Sequence, residues 1–195
     1  MALRSEEAYS LDSFCYVATG VCGKIGAVGP RNGGQWFLWL RHDADGYRAL
    51  IHRMQELAQG PYFAAAGELH QIEAKADTEN GYGFMTRFLA PALVGAFRAA
   101  AEAQALESAA VVACAATRYR LDHGDYPPSA ESLLPGSLAA IPVDPFDGRT
   151  LRYKKTSDGS VAIYSVGPDA VDDGGRVEGK SLADVGIILK LPAGR

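Results

Sequence analysis

Cysteines are few in this sequence, and they do not form a recognisable framework. There are three, Cys15, Cys22 and Cys114. An odd, sparse count is not a disulfide scaffold, and the spacing of the first two is not that of a zinc knuckle. A Cys15–Cys22 disulfide is expected only if the protein leaves the cytosol. Cys114 lies among alanines and valines and is predicted to pack as a small hydrophobic side chain.

Long apolar runs are also missing. A membrane-spanning helix needs about 20 mostly apolar residues, whereas the longest run without a charge, residues 132–143, contains two prolines. At the amino terminus, Glu6, Glu7 and Asp12 occupy the place of the apolar core of a signal peptide. The sequence as written therefore predicts a soluble chain with no membrane span. If the chain is a fragment of a longer, anchored protein, with the anchor upstream of Met1, the alternative location is the cell envelope.

Basic residues are not concentrated on any segment. The chain has 19 Lys and Arg against 23 Asp and Glu, which gives a net charge of −4. This balance argues against a nucleic-acid partner, because such proteins usually carry a concentrated basic face. The local cluster of Arg152, Lys154 and Lys155 is predicted to be the exposed side of a strand.

Motifs of common enzymes are absent as well. The sequence has no GxSxG, HExxH or P-loop pattern, and the glycines at 23, 26 and 29 do not match GxGxxG. His42-Asp43-x-Asp45 is interpreted as a helix start with aspartate caps. We therefore predict no catalytic and no cofactor-binding residues. The alternative is a small enzyme, a hydrolase, whose site lies among the amino-terminal helices. A deep pocket lined by His42, His52 or His70 would favour it.

The amino-terminal region is predicted to be helical. A first helix starts at Ser5, and a glycine-rich loop follows at residues 20–34. Residues 35–40 (QWFLWL) are interpreted as a short buried strand with two core tryptophans. A second helix is capped by Asp43 or Asp45, uses Tyr47, Leu50, Ile51, Met54 and Leu57 as its apolar stripe, and ends at Gly60-Pro61. Residues 62–75 predict a third helix, and 77–83 a loop.

The longest helical pattern covers residues 84–122. Pro91 is expected to kink it or to start a new helix, and His123-Gly124 to end it. Its apolar face comprises Val94, Phe97, Ala101, Ala105, Ser108, Val112, Ala115 and Tyr119.

Beyond this helix the periodicity changes to that of strands. A short helix over residues 132–134 is predicted, with its start at Ser129. Residues 157–159 predict a hairpin turn, and residues 185–189 predict a third strand. The predicted fold is α+β. A helical region, residues 1–83, precedes a module, residues 84–195, in which a long helix packs on a small antiparallel sheet.

This carboxy-terminal module resembles the soluble part of type II secretion major pseudopilins. It is also similar to a group of bacterial proteins, common in planctomycetes, that carry such a module after a helical region. The resemblance covers roughly residues 110–189. The matching residues are Tyr119, Asp122, Gly124, Tyr126, Pro127, Pro142, Asp144, Pro145, Phe146, Gly148, Tyr153, Tyr164, Ser165, Gly167, Asp169 and Asp184.

The resemblance implies a calcium ion in the loop that precedes the last strand. The implied ligands are Asp169, Asp172, Asp173 and Asp184 together with backbone carbonyls, and calcium prefers six to eight oxygen ligands. The family loop usually has two closely spaced aspartates before the final strand, whereas here Leu182 precedes Ala183-Asp184. The alternative interpretation of Asp172-Asp173-Gly174-Gly175 is a solvated turn.

The function implied by the resemblance is that of a non-catalytic structural or interaction module. Its expected context is type II secretion-type or cell-envelope assembly, and its expected partners are other proteins or further copies of itself. Pseudopilins begin with an apolar amino-terminal helix that packs the filament. Because this chain shows no such helix, a filament-subunit role is not expected.

Overall fold

The computed structural model describes residues 33–78, 83–177 and 184–190. In chain order the described elements are α1 (Gly33–Leu57), α2 (Tyr62–Ala76), α3 (Phe84–His123), a 3-10 helix (Ala130–Leu133), β1 (Arg152–Lys155), β2 (Val161–Ser165) and β3 (Val185–Leu189). The fold is α+β, as predicted. The helix predicted from Ser5 and most of the glycine-rich loop lie outside the described residues. Within the described part of the chain, no helix is long and apolar enough to cross a membrane.

The strand predicted at residues 35–40 is wrong, because this segment lies inside helix α1. A short apolar run cannot be assigned to helix or strand from periodicity alone. The run here is rich in leucine and lacks β-branched residues, and leucine favours helix. The predicted apolar stripe further along α1 is confirmed: Tyr47, Leu50, Ile51 and Met54 are buried.

Asp43 and Asp45 do not cap the helix that contains them, since α1 begins ten residues before Asp43. Instead, the buried Asp43 accepts hydrogen bonds from the first turn of α3. The Thr86 backbone N–H donates to Asp43 Oδ1 at 3.1 Å, and the Thr86 hydroxyl donates to the same oxygen at 2.6 Å. A β-carbon on Gly83 would lie 2.3 Å from the Asp43 carboxylate. A glycine therefore allows this remote carboxylate to reach the positive end of α3.

Helix α2 confirms the third predicted helix, and its buried residues are Ala65, Leu69, Ile72 and Ala76. Arg53 of α1 donates to both carboxylate oxygens of Glu68 in α2, at 2.6 and 2.7 Å. Both side chains are solvent-accessible, so the pair orients the two helices more than it stabilises them.

Helix α3 confirms the longest predicted helix. It passes through Pro91, so the alternative in which Pro91 starts a new helix is wrong. Its end is also as predicted: Gly124 has a φ of 87°, and its N–H donates to the Arg120 carbonyl at 2.8 Å. Cys114 is exposed, which contradicts its predicted packing. Its sequence neighbours Ala113 and Ala115 are buried, but Cys114 points to the other side of the helix.

The three strands form an antiparallel sheet in the order β1-β2-β3, with Tyr153 opposite Ile163 and Ile163 opposite Ile187. This confirms the hairpin and the third strand. The long helix packs on the sheet through a shared core. Its buried residues are Ala109, Val112, Ala113, Ala115 and Ala116 of α3 together with Tyr126, Leu133, Leu138, Leu151, Val161 and Ile163. Alanines on the helix allow its backbone to approach the larger side chains of β2.

The chain divides into two compact units, residues Met1–Ala96 and Phe97–Arg195. The two ends of α3 therefore belong to different units. The carboxy-terminal unit contains the sheet and all four aspartates of the candidate metal site.

Candidate functional site

The candidate site is the acidic loop, residues 168–177, which follows β2, together with Asp184, which directly precedes β3. The three loop carboxylates Asp169, Asp172 and Asp173 are exposed. Asp184 is only 2% exposed. Asp184 thus differs from the other three predicted ligands, because it is buried under the loop.

The Asp184 carboxylate accepts hydrogen bonds from three backbone N–H groups of the loop. Oδ2 accepts the N–H groups of Gly175 at 2.8 Å and Arg176 at 3.2 Å, and Oδ1 accepts that of Asp173 at 3.4 Å. Gly174 and Gly175 both have positive φ, 77° and 84°, a conformation that turns neighbouring N–H groups toward one point. Asp184 therefore holds the loop closed through its own backbone.

Asp172 connects the acidic loop to the sheet. Its Oδ1 accepts the Tyr164 hydroxyl at 3.0 Å and the Gly174 N–H at 2.9 Å. Lys154 of β1 donates to the Gly174 carbonyl at 3.0 Å. Asp169 instead accepts the Val171 N–H at 3.1 Å within its own turn. The structure thus brings Asp172, Asp173 and Asp184 into one network and leaves Asp169 in a separate local turn.

These contacts limit how the loop could hold a cation. A carboxylate offers about four lone-pair positions, and Asp184 already uses three of them for backbone N–H groups. The exposed Asp173 carboxylate and the second oxygen of Asp172 are better suited to a hard cation, with loop carbonyls and water to complete the shell. Among the described residues, no group of three or more His, Cys, Asp or Glu side chains is placed to hold a metal ion. Of the three implied ligands in this network, Asp172 and Asp173 are therefore the two whose carboxylates have oxygens at the surface of the loop.

A second carboxylate network lies beneath the loop that precedes β1, and sequence reasoning missed it. Asp144 is fully buried. Its Oδ1 accepts the Phe146 N–H at 2.9 Å and the Ser165 hydroxyl at 2.7 Å. Its Oδ2 accepts Arg152 Nη1 at 2.7 Å and the Val166 N–H at 3.0 Å. Every lone-pair position is used, so this carboxylate fastens the loop to β1 and β2.

Arg152 completes this network by bridging Asp144 and Asp147. The prediction that Arg152 is part of an exposed strand face is therefore wrong; its side chain is 16% exposed. Hydrogen bonding to the Arg152 guanidinium holds the pKa of Asp147 below its usual value. A turn forms at Asp147-Gly148: Gly148 has a φ of 74°, and Asp147 Oδ1 accepts the Arg149 N–H at 3.0 Å. The partners of Asp144 lie up to 22 residues away, which no local pattern shows.

The segment that follows α3 is tied to β1 in the same manner. Lys155 Nζ donates to the Asp125 carboxylate at 2.7 Å and to the Tyr126 carbonyl at 2.9 Å. The Tyr153 hydroxyl donates to the Pro127 carbonyl at 2.8 Å. The Tyr-Pro sequence at 126–127 thus marks the place where the chain crosses the edge of the sheet.

In the part of the chain that the structure describes, the histidines of the enzyme alternative do not come together in one site. His52 and His70 are exposed, and the His42 side chain lies outside the described part. A cavity of about 300 Å³ in the amino-terminal unit is lined by Ala76, Asp77, Arg87, Phe88 and Pro91. These residues include neither His52 nor His70.

Fold and site together define the carboxy-terminal unit as an α+β module whose buried carboxylates hold loops onto a three-stranded sheet. Comparison with protein-family models, curated proteins and solved structures found no match for the chain.

Tyr164 provides a pH-dependent test of the contact between the acidic loop and the sheet. Burial, and then the hydrogen bond to Asp172, raise the pKa of Tyr164 to about 12 from 10.0. The folded state then binds the proton more tightly than the unfolded state. Its stabilising contribution is complete below pH 10 and is lost as the pH rises toward 12, with a slope of up to about 1.4 kcal/mol per pH unit.

Urea denaturation of the wild type and of Tyr164→Phe between pH 9 and pH 12 measures this contribution. The variant is expected to lose less stability over this window, while the titration of Tyr153, whose pKa is also raised by burial, remains in both proteins. Equal pH dependence of the two proteins would show that Tyr164 is accessible and not tied to Asp172.

Proposed function

We propose that this protein is a non-catalytic structural or interaction module with a pseudopilin-like head, and that it acts in type II secretion-type or cell-envelope assembly. The observation that carries the proposal is the arrangement of the acidic loop between β2 and β3. The loop is fastened from below by Asp184 and from the side by Tyr164, while Asp173 and one face of Asp172 point to solvent. This is the position in which the pseudopilin resemblance implies a calcium ion.

The arrangement divides the implied ligands into two roles. Asp184 shapes the loop by accepting its N–H groups, whereas Asp172 and Asp173 supply oxygen atoms at its surface. A bound calcium ion would neutralise these neighbouring carboxylates and link loop carbonyls to them. It would thereby stabilise the surface that a protein partner meets.

The buried polar groups of this unit support a structural role. Asp144, Arg152 and Ser165 all bond to one another or to loop backbone. Such saturated networks give rigidity and a single conformation. An interaction module benefits from that rigidity, because a preorganised surface lowers the entropic cost of binding.

Thermal unfolding with calcium and with chelator tests the proposal. Millimolar calcium is expected to raise the melting temperature by several degrees, because a ligand present at 100 times its dissociation constant adds about 2.7 kcal/mol to the stability of the folded state. Asp173→Asn is expected to remove the calcium response and to leave the melting temperature in chelator unchanged.

Asp122→Asn is the matched control, since it makes the same chemical change at an exposed aspartate of α3. It should keep the full calcium response. An unchanged midpoint for the wild type at millimolar calcium would refute the calcium part of the proposal. The acidic loop would then be the solvated turn of the alternative interpretation.

A further inference from the structure

The part of α3 that belongs to the carboxy-terminal unit has an exposed face with large apolar residues. We call this the outer face of α3; between residues 106 and 121 it consists of Leu106, Glu107, Ala110, Val111, Cys114, Thr117, Arg118 and Leu121. At 100° per residue these positions fall within an arc of about 140°. Leu106, Val111 and Leu121 are 44%, 49% and 75% exposed. The opposite arc contains Ala105, Ala109, Val112 and Ala116, which are buried.

The composition of this face differs from that of an ordinary solvated helix surface. Two of its eight residues are charged, and Glu107 has no basic residue three or four positions away with which to pair along the helix. Within the described residues, neither Glu107 nor Arg118 forms an ion pair. Leu106, Val111 and Leu121 are large, apolar and exposed on one side of the helix. Exposed apolar surface of this kind is typical of a protein interface.

The positions of the two charges indicate which partner fits. Glu107 and Arg118 have opposite sign and lie eleven residues apart, close to three helical turns, so they share one side of the helix. In an antiparallel pairing of two copies centred between residues 112 and 113, Glu107 of each copy faces Arg118 of the other. A two-fold axis makes this contact twice, as closed symmetric dimers require.

The same register also places the apolar residues against each other. Val111 of one copy faces Cys114 of the other, close to the axis. The two Cys114 residues are then offset by three residues, about 4.5 Å along the helices at 1.5 Å per residue. Small residues at the centre allow two helices to approach to about 8 Å. The larger Leu106 and Leu121 lie farther out, where two diverging helices leave more room.

We propose that the outer face of α3 is the interface of an antiparallel homodimer, held in register by reciprocal Glu107–Arg118 pairs. This inference rests on the proposed role as an interaction module and does not depend on calcium. It identifies a second copy of this chain as one partner of that module.

Sedimentation velocity of the full chain over a range of concentrations tests the dimer. A monomer–dimer equilibrium is expected for the wild type. Glu107→Arg and Arg118→Glu should each weaken dimerisation about tenfold, because each replaces two attractive contacts by two repulsive ones. The double variant restores opposite charges across the axis and should dimerise as the wild type does. Its recovery would show that the single variants are folded.

Two further measurements sharpen the result. Arg149→Glu reverses an exposed charge outside α3 and should leave the equilibrium unchanged. In a variant with Cys15 and Cys22 replaced by serine, a short bismaleimide should join two chains through Cys114. This crosslink should be reduced by either single charge reversal.

The possible outcomes separate this inference from the proposed function. A monomer at every concentration whose melting temperature still rises with calcium would overturn the dimer and leave the proposed function standing. A monomer with no calcium response would count against both. A dimer that is insensitive to both charge reversals would overturn the assigned interface.

Discussion

Replacing Asp144 with asparagine is expected to lower the free energy of unfolding by about 3 to 5 kcal/mol. All four partners of this buried carboxylate donate: two backbone N–H groups, the Ser165 hydroxyl and the Arg152 guanidinium. An asparagine NH₂ in place of either oxygen would face two donors with no lone pair to offer. The Arg152 guanidinium would also lose one of its two counter-charges. Urea denaturation at neutral pH measures the loss.

Asp122→Asn is a suitable control for Asp144→Asn, since that carboxylate is exposed on α3. Its effect should stay within about 0.5 kcal/mol, as for most surface substitutions. Arg152→Met and the double variant complete a thermodynamic cycle with Asp144→Asn. If Asp144 and Arg152 act together, the double variant should be less destabilised than the sum of the two single variants. If Asp144→Asn had the same free energy of unfolding as the wild type, the Asp144 network would contribute nothing to stability.

The second large effect is expected for Asp184→Ala, at about 3 kcal/mol. The substitution leaves three backbone N–H groups of the acidic loop without their acceptor, and hydrogen bonds to charged groups contribute about 1.5 to 3 kcal/mol. The total stays below the simple sum because an opened loop can bind water instead. Beyond the loss of stability, the amide protons of Gly175 and Arg176 should exchange faster with solvent.

Asp173→Ala is the matched comparison for Asp184→Ala, because it removes a carboxylate from the same loop at an exposed position. It should change stability by no more than about 0.5 kcal/mol. If the two substitutions had equal effects, Asp184 would not be the group that holds the loop. Comparing the two variants therefore distinguishes a carboxylate that shapes the loop, Asp184, from one that only presents oxygen atoms at its surface, Asp173.

Much of the fold follows from local sequence patterns. The 3.6-residue spacing of small and apolar residues predicts α3, and the glycine after His123 predicts its end. The Ser157-Asp158-Gly159 turn predicts the hairpin, in which Asp158 Oδ1 accepts the Ser160 N–H at 3.1 Å. These features are readable because each depends on residues that are near one another in the chain.

The wrong predictions have different causes. Residues 35–40 are too few to distinguish the period of a helix from that of a strand, and the helix that contains them is 25 residues long. The composition around Cys114 predicts a core position, whereas its exposure follows from its position on the helix. The basic cluster predicts an exposed Arg152, whereas its acidic partners Asp144 and Asp147 lie on the other side of the turn at Gly148.

Prediction from local sequence is limited in the candidate site as well. The acidic residues of the loop are evident in the sequence, but their different roles are not. Asp184 became a loop-holding residue because folding brings it beneath Gly175 and Arg176. Asp169, which belongs to the same acidic stretch, bonds only within its own turn.

Local sequence patterns are enough to predict the α+β class, the long helix with its alanine face and glycine end, and the antiparallel hairpin with its third strand. The roles of the buried aspartates depend on the completed fold: Asp43 caps α3 rather than α1, and Asp144 and Asp184 hold loops that lie far from them in the chain. The reason is that helices and turns form from contacts between near neighbours. A buried carboxylate, by contrast, must be satisfied by whichever donors the completed fold brings to it.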